Sequence, residues 1–327
     1  MPVFLLIGLG GGLAAAVLFS SAAAGGAAGR LILYVLVPLP CFLAGLGWGS
    51  MAAGIAAGTG AAGVGVVLGL KAAVLFFVSQ GVPAAILCHL ALLSRPAQSA
   101  IGAQPPGAPL LEWYPPGRLT AVAAILAGVL AALSILVLGP DLDALRALLR
   151  ELIEKVFLKE LPGLKDRQLS PEDIAAITEF SLYALPAASA ILWLGGFLLN
   201  FWLAGRITLL SGRLPRPWPD LAAMTFPRGF ALGLAAALAL TFLSGYPALL
   251  GSSFGGAFFL AYLLMGLAIV HYVTRGRASR PFVLWGMYFA LLILNTWAAI
   301  LIALLALLEP FLPLKRTPPP PGPTAPD

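Results

Sequence analysis

VFLLIGLGGGLAAAVLFSSAAA, residues 3–24, is an uninterrupted run without a single charged side chain. An α-helix rises 1.5 Å per residue, so a run of this length reaches across about 30 Å, the thickness of the hydrocarbon core of a membrane. Further continuous apolar runs of similar length follow along the chain. The stretch predicts a membrane-spanning helix, and its repetition predicts a bundle of such helices.

The composition of the whole chain supports this fold class. Of 327 residues, 60% are hydrophobic and only 10% are charged, and the mean hydropathy is +0.98. A water-soluble protein of this composition would expose large apolar surfaces. The strands of a transmembrane β-barrel alternate apolar and polar residues, whereas these runs are continuous. We therefore predict an all-α, polytopic transmembrane helical bundle in a bacterial inner (cytoplasmic) membrane.

The apolar segments predict eight or nine spans. The first resembles a signal peptide near Ala22 and Ala24, but no Lys or Arg precedes it, so we expect a retained helix. The last could form one span, or a short hairpin broken near Asn295 and Thr296, and this choice decides the side of the C-terminal tail. The segments lie at about 3–24, 30–48, 50–70, 72–94, 118–138, 179–209, 229–248, 252–274 and 282–310.

The arginines predict the orientation of the bundle, because Lys and Arg in short loops stay in the cytoplasm. The loops after the fourth, sixth and eighth segments hold nine arginines on one side. The opposite side has a long loop, 139–178, with more acidic than basic residues. We therefore place these arginines and the N-terminus in the cytoplasm: Arg95, Arg118, Arg206, Arg213, Arg216, Arg228, Arg275, Arg277 and Arg280.

The long extracytoplasmic loop predicts helices of its own. Glu151 and Lys155 are spaced for an ion pair on its polar side. Ser170, followed by a proline and two acidic residues, is typical of a helix start, and we expect a kink where that helix meets Pro186. The first loop helix could lie on the outer leaflet or form a lid over a pocket. Its apolar face consists of Leu145, Leu149, Leu152 and Val156.

One multi-span membrane domain is predicted from residue 1 to 316, followed by a disordered Pro-rich tail, 317–327. The GxGxxG pattern at residues 58–63 is not a dinucleotide site, because it lies inside an apolar run rather than after a strand. We interpret Gly54 with Gly58, and Gly65 with Gly69, as close-packing positions between helices.

Chemistry-bearing residues are few. Cys41 and Cys88 lie in apolar segments and are expected to be reduced packing residues. No charged residue lies at the middle of a predicted span, which argues against a pump driven by a buried carboxylate. Gln80 and His89 are candidate pocket residues on the fourth span. Nine residues place them on opposite faces, so they could share a pocket only if Pro83 bends the helix.

Two polar clusters at the predicted cytoplasmic face are candidates for interaction with a partner or a lipid headgroup. One precedes the fifth span and the other follows the sixth, and a histidine near the end of the eighth joins them. Trp and Tyr at helix ends also form the ordinary interfacial belt of membrane proteins. The candidate residues are Trp113, Tyr114, Arg118, Asn200, Arg206, Arg216, Trp218, Asp220 and His271.

At several segments the chain resembles the YybS-like family of predicted membrane proteins, whose domain has no assigned function. This resemblance implies an order of four helices, a fifth, an amphipathic outer loop and the remaining helices. Such proteins are also distantly similar to the substrate-binding subunits of energy-coupling-factor transporters and to MreD-type proteins. The matching segments are LYVLVPLPCFLAGLGWG (33–49), EWYPPGRL (112–119), NFWLAGRI (200–207), SGRLPRPWPDL (211–221), GLAIVHYVTRGR (266–277) and LLALLEPFLPLKR (304–316).

Two functions remain open at this stage. The first is a non-enzymatic, transporter-subunit-like protein that binds a small molecule or lipid. The second is a scaffold that recruits a membrane partner protein through the Arg- and Trp-rich cytoplasmic loops. An enzyme is not expected, because no nucleophile–base set is visible. We expect the lipid bilayer as a partner, and no nucleic acid, metal or cofactor.

The orientation is testable with reporter fusions. Fused after residue 215, green fluorescent protein should fluoresce and alkaline phosphatase should be inactive, because the nine-arginine side is cytoplasmic. Fusions within the long loop should behave in the opposite way. Active phosphatase at residue 215 would reverse the predicted topology.

Overall fold

The computed structural model describes residues 1–24, 27–96, 111–139, 141–157, 170–312 and 314–315. These residues are predominantly helical, with π-helical turns at Phe77–Gly81 and Ile153–Phe157, a 3-10 turn at Leu221–Ala223, and one small antiparallel pair of strands. The strands are β1 (Ser94–Pro96) and β2 (Leu111–Trp113). The α-helices are α1 (Val3–Ala24), α2 (Ala27–Leu36), α3 (Leu39–Trp48), α4 (Ser50–Leu68), α5 (Leu70–Phe76), α6 (Val82–Ala91), α7 (Pro116–Leu138), α8 (Leu142–Leu152), α9 (Pro171–Leu210), α10 (Phe230–Thr241), α11 (Tyr246–Val273), α12 (Arg280–Leu294) and α13 (Thr296–Leu308).

Seven helices in the described part of the chain are long and apolar enough to cross a membrane, which confirms a multi-pass helical membrane protein. Two of these spans each consist of two consecutive helices separated by a short break: α2 with α3, and α5 with α6. The candidate spans are Val3–Ala23, Gly29–Trp48, Ser50–Leu68, Leu70–Ala91, Pro116–Leu138, Pro171–Leu210 and Tyr246–Val273.

Two of the segments predicted as spans do not form single long helices. The segment predicted at 229–248 contains the 12-residue helix α10, which ends at Thr241 before a turn at Gly245 with a φ of 72°. The segment predicted at 282–310 is divided into α12 and α13, with 15 and 13 residues. Each of these helices is shorter than the roughly 20 residues that a full crossing requires.

The contacts divide the chain into two compact units, and the boundary falls inside α11. The first unit comprises residues 1–219 and 226–258, and the second comprises residues 220–225 and 259–327. The first unit contains α1 to α10 and the start of α11. The second contains the remainder of α11 with α12 and α13.

Glycines let α1 and α4 approach closely. Gly12 faces Thr59 and the carbonyl of Ala56, and Gly63 lies against Ala16, so that an added methyl group at either glycine would collide with the other helix. The close-packing interpretation of Gly54 and Gly58 is wrong, because both face open space. Spacing alone does not identify which side of a Gly-rich helix meets its neighbour.

Pro83 leaves a backbone carbonyl without its helical partner, since proline has no N–H to offer the residue four positions earlier. That residue is Ser79, in the π-helical turn before α6. The indole Nε1 of Trp193 on α9 donates a hydrogen bond to the Ser79 carbonyl at 3.0 Å. A side chain from another helix thus satisfies the group that the proline released.

A side chain of α9 also donates to a backbone carbonyl at a second break, between α2 and α3. The chain turns at Val37 and Pro38, and α3 begins at Leu39. Asn200 on α9 is fully buried, and its Nδ2 donates to the carbonyl of Val35 at 2.6 Å and to that of Gly196 at 2.6 Å. Asn200 therefore ties α9 to the end of α2 deep within the first unit.

The loop helix α8 is capped by Asp141, whose carboxylate accepts a hydrogen bond from the Ala144 amide at 2.7 Å. Its apolar face packs onto the first unit, where Leu145 and Leu149 are buried. Leu152, assigned to that face from the sequence, is exposed, and Ile153 is buried instead. Ile153 follows Leu149 by four residues, as Leu149 follows Leu145, so the buried face keeps ordinary helical spacing. Leu145 and Leu149 belong to one core cluster with Ile135, Leu182 and Leu249.

Two predicted features around α8 and α9, an ion pair and a helix start, are present. Lys155 Nζ donates to Glu151 Oε1 at 2.7 Å. Ser170 and Asp173 form a reciprocal capping box at the start of α9, in which Ser170 Oγ accepts from the Asp173 amide at 3.1 Å. The 40-residue helix continues through Pro186. The predicted Pro-rich tail lies outside the described residues.

In the second unit, α12 and α13 form a hairpin. Residues at both of its ends contact the segment 220–225. Arg275, just before α12, donates to both carboxylate oxygens of Asp220 at 2.6 and 2.5 Å. Lys315, after α13, donates to the Met224 carbonyl at 2.5 Å. The helices meet at Asn295, which has a φ of 41° and a ψ of −105°, a positive φ that is uncommon for a residue other than glycine. The geometry therefore matches the hairpin alternative.

We predict that Trp193→Phe lowers the free energy of unfolding by about 1–2 kcal/mol, because the Ser79 carbonyl loses its donor inside an apolar bundle. The loss should be smaller in a Pro83→Ala background, where residue 83 supplies a backbone N–H of its own. Thermal unfolding in detergent micelles measures both effects. Equal losses in the two backgrounds would contradict the pairing.

Candidate functional site

The first unit contains an open groove between the C-terminal end of α1 and α2. Its volume is about 380 Å³, and its walls are mostly apolar. The polar groups at its surface are a guanidinium and a phenol. The lining residues are Phe19, Ala22, Ala23, Arg30, Leu31 and Tyr34.

A buried amide stands behind the phenol of the groove. Gln80 is 2% exposed, and its Nε2 donates to the Tyr34 hydroxyl at 3.2 Å. The ring of Phe19 lies against those of Tyr34 and Phe76, with centroids 6.2 and 5.5 Å apart. Tyr34 is thus held between an aromatic cluster and a buried hydrogen-bond donor.

Gln80 and His89, the two candidate pocket residues, lie in different surroundings. Gln80 is buried next to the groove, whereas His89 is exposed near the end of α6. The structure does not bring them together. A ligand role for either residue remains a prediction.

Three arginine–tryptophan pairs lie at the ends of α3 and α9 and in the loop after α9. We call their six residues the Arg–Trp face. The guanidinium carbon of Arg206 lies 5.1 Å from the ring centroid of Trp218, that of Arg213 lies 5.4 Å from Trp48, and that of Arg216 lies 5.9 Å from Trp113. These distances fit cation–π contacts.

Arg216 is the most deeply placed of these arginines. It is 8% exposed, its Nη1 donates to the Ala91 carbonyl at 2.9 Å, and its Nε is buried without a hydrogen-bond partner. Ala91 is the last residue of α6, so the cation also faces the negative end of a helix dipole. Burial lowers the pKa of the Arg216 guanidinium. The structure therefore keeps a buried cation near the end of a membrane span.

The strands β1 and β2 hold Trp113 in place. Ser94 pairs with Trp113, and Arg95 pairs with Glu112 in the neighbouring register position. Arg95 Nε donates to Glu112 Oε2 at 2.8 Å. This hydrogen bond, together with the charge of Arg95, lowers the pKa of the Glu112 carboxyl. Glu112 is the only acidic residue of the two strands, and it is already paired with Arg95.

The predicted cytoplasmic-face residues divide into separate groups. Trp113, Arg206, Arg216 and Trp218 belong to the Arg–Trp face, Tyr114 follows β2, and Arg118 is exposed near the start of α7. Asn200 does not lie at a face, because its amide pairs with Val35 inside the bundle. Asp220 and His271 belong to the second unit, where His271 Nε2 lies 2.9 Å from the Tyr288 hydroxyl.

Sequence reasoning did not select Trp48, Arg213, Arg30 or Tyr34 as site residues. Trp48 ends α3 and Arg213 follows α9. Aromatic and basic residues at the ends of spans are the sequence signal that could have identified them. Nothing local indicated that Arg30 and Tyr34 line a groove, because its other wall comes from α1.

Cys41 and Cys88 are free and buried. Among the described residues, no three His, Cys, Asp or Glu side chains form a group that could hold a metal ion. Comparison of the chain with models of protein families, with curated proteins and with solved structures gave no match. Its assignment to the YybS-like family stays a prediction.

The Asp220–Arg275 pair predicts a pH effect. The hydrogen bonds and charge of Arg275 lower the pKa of the Asp220 carboxyl. A carboxyl with a lowered folded pKa stabilises the fold above its unfolded pKa of about 4, and this contribution is lost as the pH falls through the folded value. We expect the melting temperature of the wild type to exceed that of Asp220→Asn near neutral pH and to converge with it in acid.

Arg275→Gln is the matched control, because it removes the same pair from the other side. It should lower the melting temperature near neutral pH as Asp220→Asn does. A difference between wild type and Asp220→Asn that persists unchanged to about pH 3 would show that this carboxylate does not supply the stability.

Proposed function

We propose that this multi-pass membrane protein is non-enzymatic and binds a small amphiphile or lipid in the groove between α1 and α2. The groove carries the proposal, because it combines apolar walls with two polar groups at one place. Its volume of about 380 Å³ falls within the range of roughly 300–1,000 Å³ that is usual for small-molecule sites.

The chemistry of the lining selects the ligand class. Phe19, Leu31 and the two alanines offer contacts to a hydrocarbon body. Arg30 and the Tyr34 hydroxyl offer charge and hydrogen bonding to a polar or anionic head. The hydrogen bond from Gln80 fixes the Tyr34 hydroxyl from behind. An amphiphile with an acidic head satisfies both parts of this lining.

The predicted orientation and resemblance agree with this proposal. The turn between the first and second segments lies on the extracytoplasmic side, so the groove opens toward the outer leaflet or the space beyond it. A likeness to substrate-binding transporter subunits implies capture of a small molecule from that side, with a partner protein driving transport. The resemblance supports the proposal at the level of fold analogy.

The scaffold hypothesis is the second candidate, and one observation favours it. Arg213 is exposed and lies over Trp48, and Arg and Trp are residue types enriched in protein interfaces. On that hypothesis a partner would contact the Arg–Trp face, and the groove would have no role in binding.

We expect native protein purified in mild detergent to carry a co-purifying small molecule or lipid, identifiable by mass spectrometry. Ala23→Trp should reduce its occupancy about tenfold or more, because an indole would fill the space between α1 and α2. Ala236→Trp is the matched control, since Ala236 is exposed on α10, away from the groove.

Equal occupancy in Ala23→Trp and Ala236→Trp, with both variants folded, would exclude the groove as the binding site. Repeatedly ligand-free wild-type preparations would count against binding altogether. Tyr34→Phe retains the aromatic ring and removes the hydroxyl, so it should lower occupancy only if the head group is recognised at that position.

A further inference from the structure

The Arg–Trp face carries positive charge without matching carboxylates. The sequence from 91 to 118 and from 206 to 219 contains five arginines and one acidic residue, Glu112. Glu112 is paired with Arg95. Among the described residues, no carboxylate lies within ion-pair distance of Arg206, Arg213 or Arg216. The missing partner of this face is an anion.

The position of the face selects the kind of anion. Trp48 is the last residue of α3, Ala91 is the last residue of α6, and Arg206 lies in the last turns of α9. All three elements belong to candidate membrane spans. Helix ends of this kind lie where lipid headgroups begin, and Trp is enriched at that depth. A headgroup phosphate is the anion present at this level.

The cation–π contacts leave Arg206 and Arg213 able to bind phosphate. An indole ring attracts a guanidinium without replacing the hydrogen bonds that its N–H groups can donate to an anion. Arg216 uses Nη1 on the Ala91 carbonyl and its Nε is buried, so this residue contributes charge rather than a direct contact. Arg213 is exposed and Arg206 is half-buried, so both can reach a ligand from the surface. Phosphate oxygens match such donors.

The contacts also make this face one continuous surface. Trp218 lies over Gly205, one residue before Arg206, and Leu46 lies beside the same glycine. Arg213 approaches Gly47, next to its stacking partner Trp48. The pairs of Arg206 and Arg213 are therefore neighbours across the ends of α3 and α9. Only two residues lie between Arg213 and the buried cation of Arg216 in the sequence.

We propose that the Arg–Trp face binds the phosphate groups of anionic lipids in the adjacent leaflet. Arg206 and Arg213 contact the phosphate, and Arg216 supplies a buried positive charge behind them. The tryptophan rings hold the guanidinium groups in place and pack against the upper part of the acyl chains. This site is separate from the groove between α1 and α2, so each can fail without the other.

The test measures lipid retention on the purified full-length chain in mixed micelles by native mass spectrometry. Phosphatidylglycerol should be retained several-fold more than phosphatidylcholine of the same acyl chains, and high salt should reduce the difference. Arg213→Gln should weaken phosphatidylglycerol retention about fivefold, and Arg206→Gln with Arg213→Gln should weaken it further. Arg277→Gln, an exposed arginine of the second unit, removes the same charge and should change nothing.

Arg216→Gln breaks the contact with Ala91 and could unfold the protein, so the exposed Arg213 carries the test. Equal retention of the two lipids, or an equal effect of Arg277→Gln, would overturn the proposal. Displacement of phosphatidylglycerol by excess sodium phosphate alone would assign the site to a free anion. If Arg213→Gln leaves lipid retention unchanged and abolishes co-purification of a protein partner, the face is a protein interface.

Discussion

In an apolar bundle every backbone carbonyl that a break in a helix leaves unpaired needs another donor, because no water is present to supply one. Helix α9 meets this requirement at two places. Trp193 donates to Ser79 and Asn200 donates to Val35. The two donors are seven residues apart, almost two helical turns, and therefore lie on one face of α9. A single helix face thus fixes the irregular positions of two other spans.

These two bonds also determine the position of the polar groups in the groove. Ser79 precedes Gln80, and Val35 follows Tyr34, so each carbonyl held by α9 is one residue from a member of the Gln80–Tyr34 pair. If either carbonyl moved, the distance of 3.2 Å between Gln80 Nε2 and the Tyr34 hydroxyl would change. The irregular backbone of the π-helical turn therefore lies next to the groove.

Hydrophobic runs predicted the long helices, and local signals predicted the Ser170 start of α9 and the Glu151–Lys155 pair. The breaks inside apolar runs were less visible. A turn at Gly245 follows the end of α10, and Asn295 separates α12 from α13, yet the surrounding composition remains apolar. Asn200 shows why the sequence alone did not predict the contacts near the candidate site. A polar residue close to Arg206 suggests the end of a span, but its partner Val35 is 165 positions away in the sequence. No periodicity encodes such a contact.

The same helix serves both candidate sites, and this affects how substitutions should be interpreted. Asn200 holds the end of α2 beside the groove, whereas Gly205 and Arg206 belong to the Arg–Trp face. Six residues of helix, about 9 Å, separate Asn200 from Arg206. Removing the Asn200 amide would leave the Val35 carbonyl unpaired and shift α9 against α2, which disturbs both sites at once. A binding defect in an Asn200 variant therefore reports on the framework. Only residues of the groove wall, or arginines that stack without a framework bond, can locate a ligand.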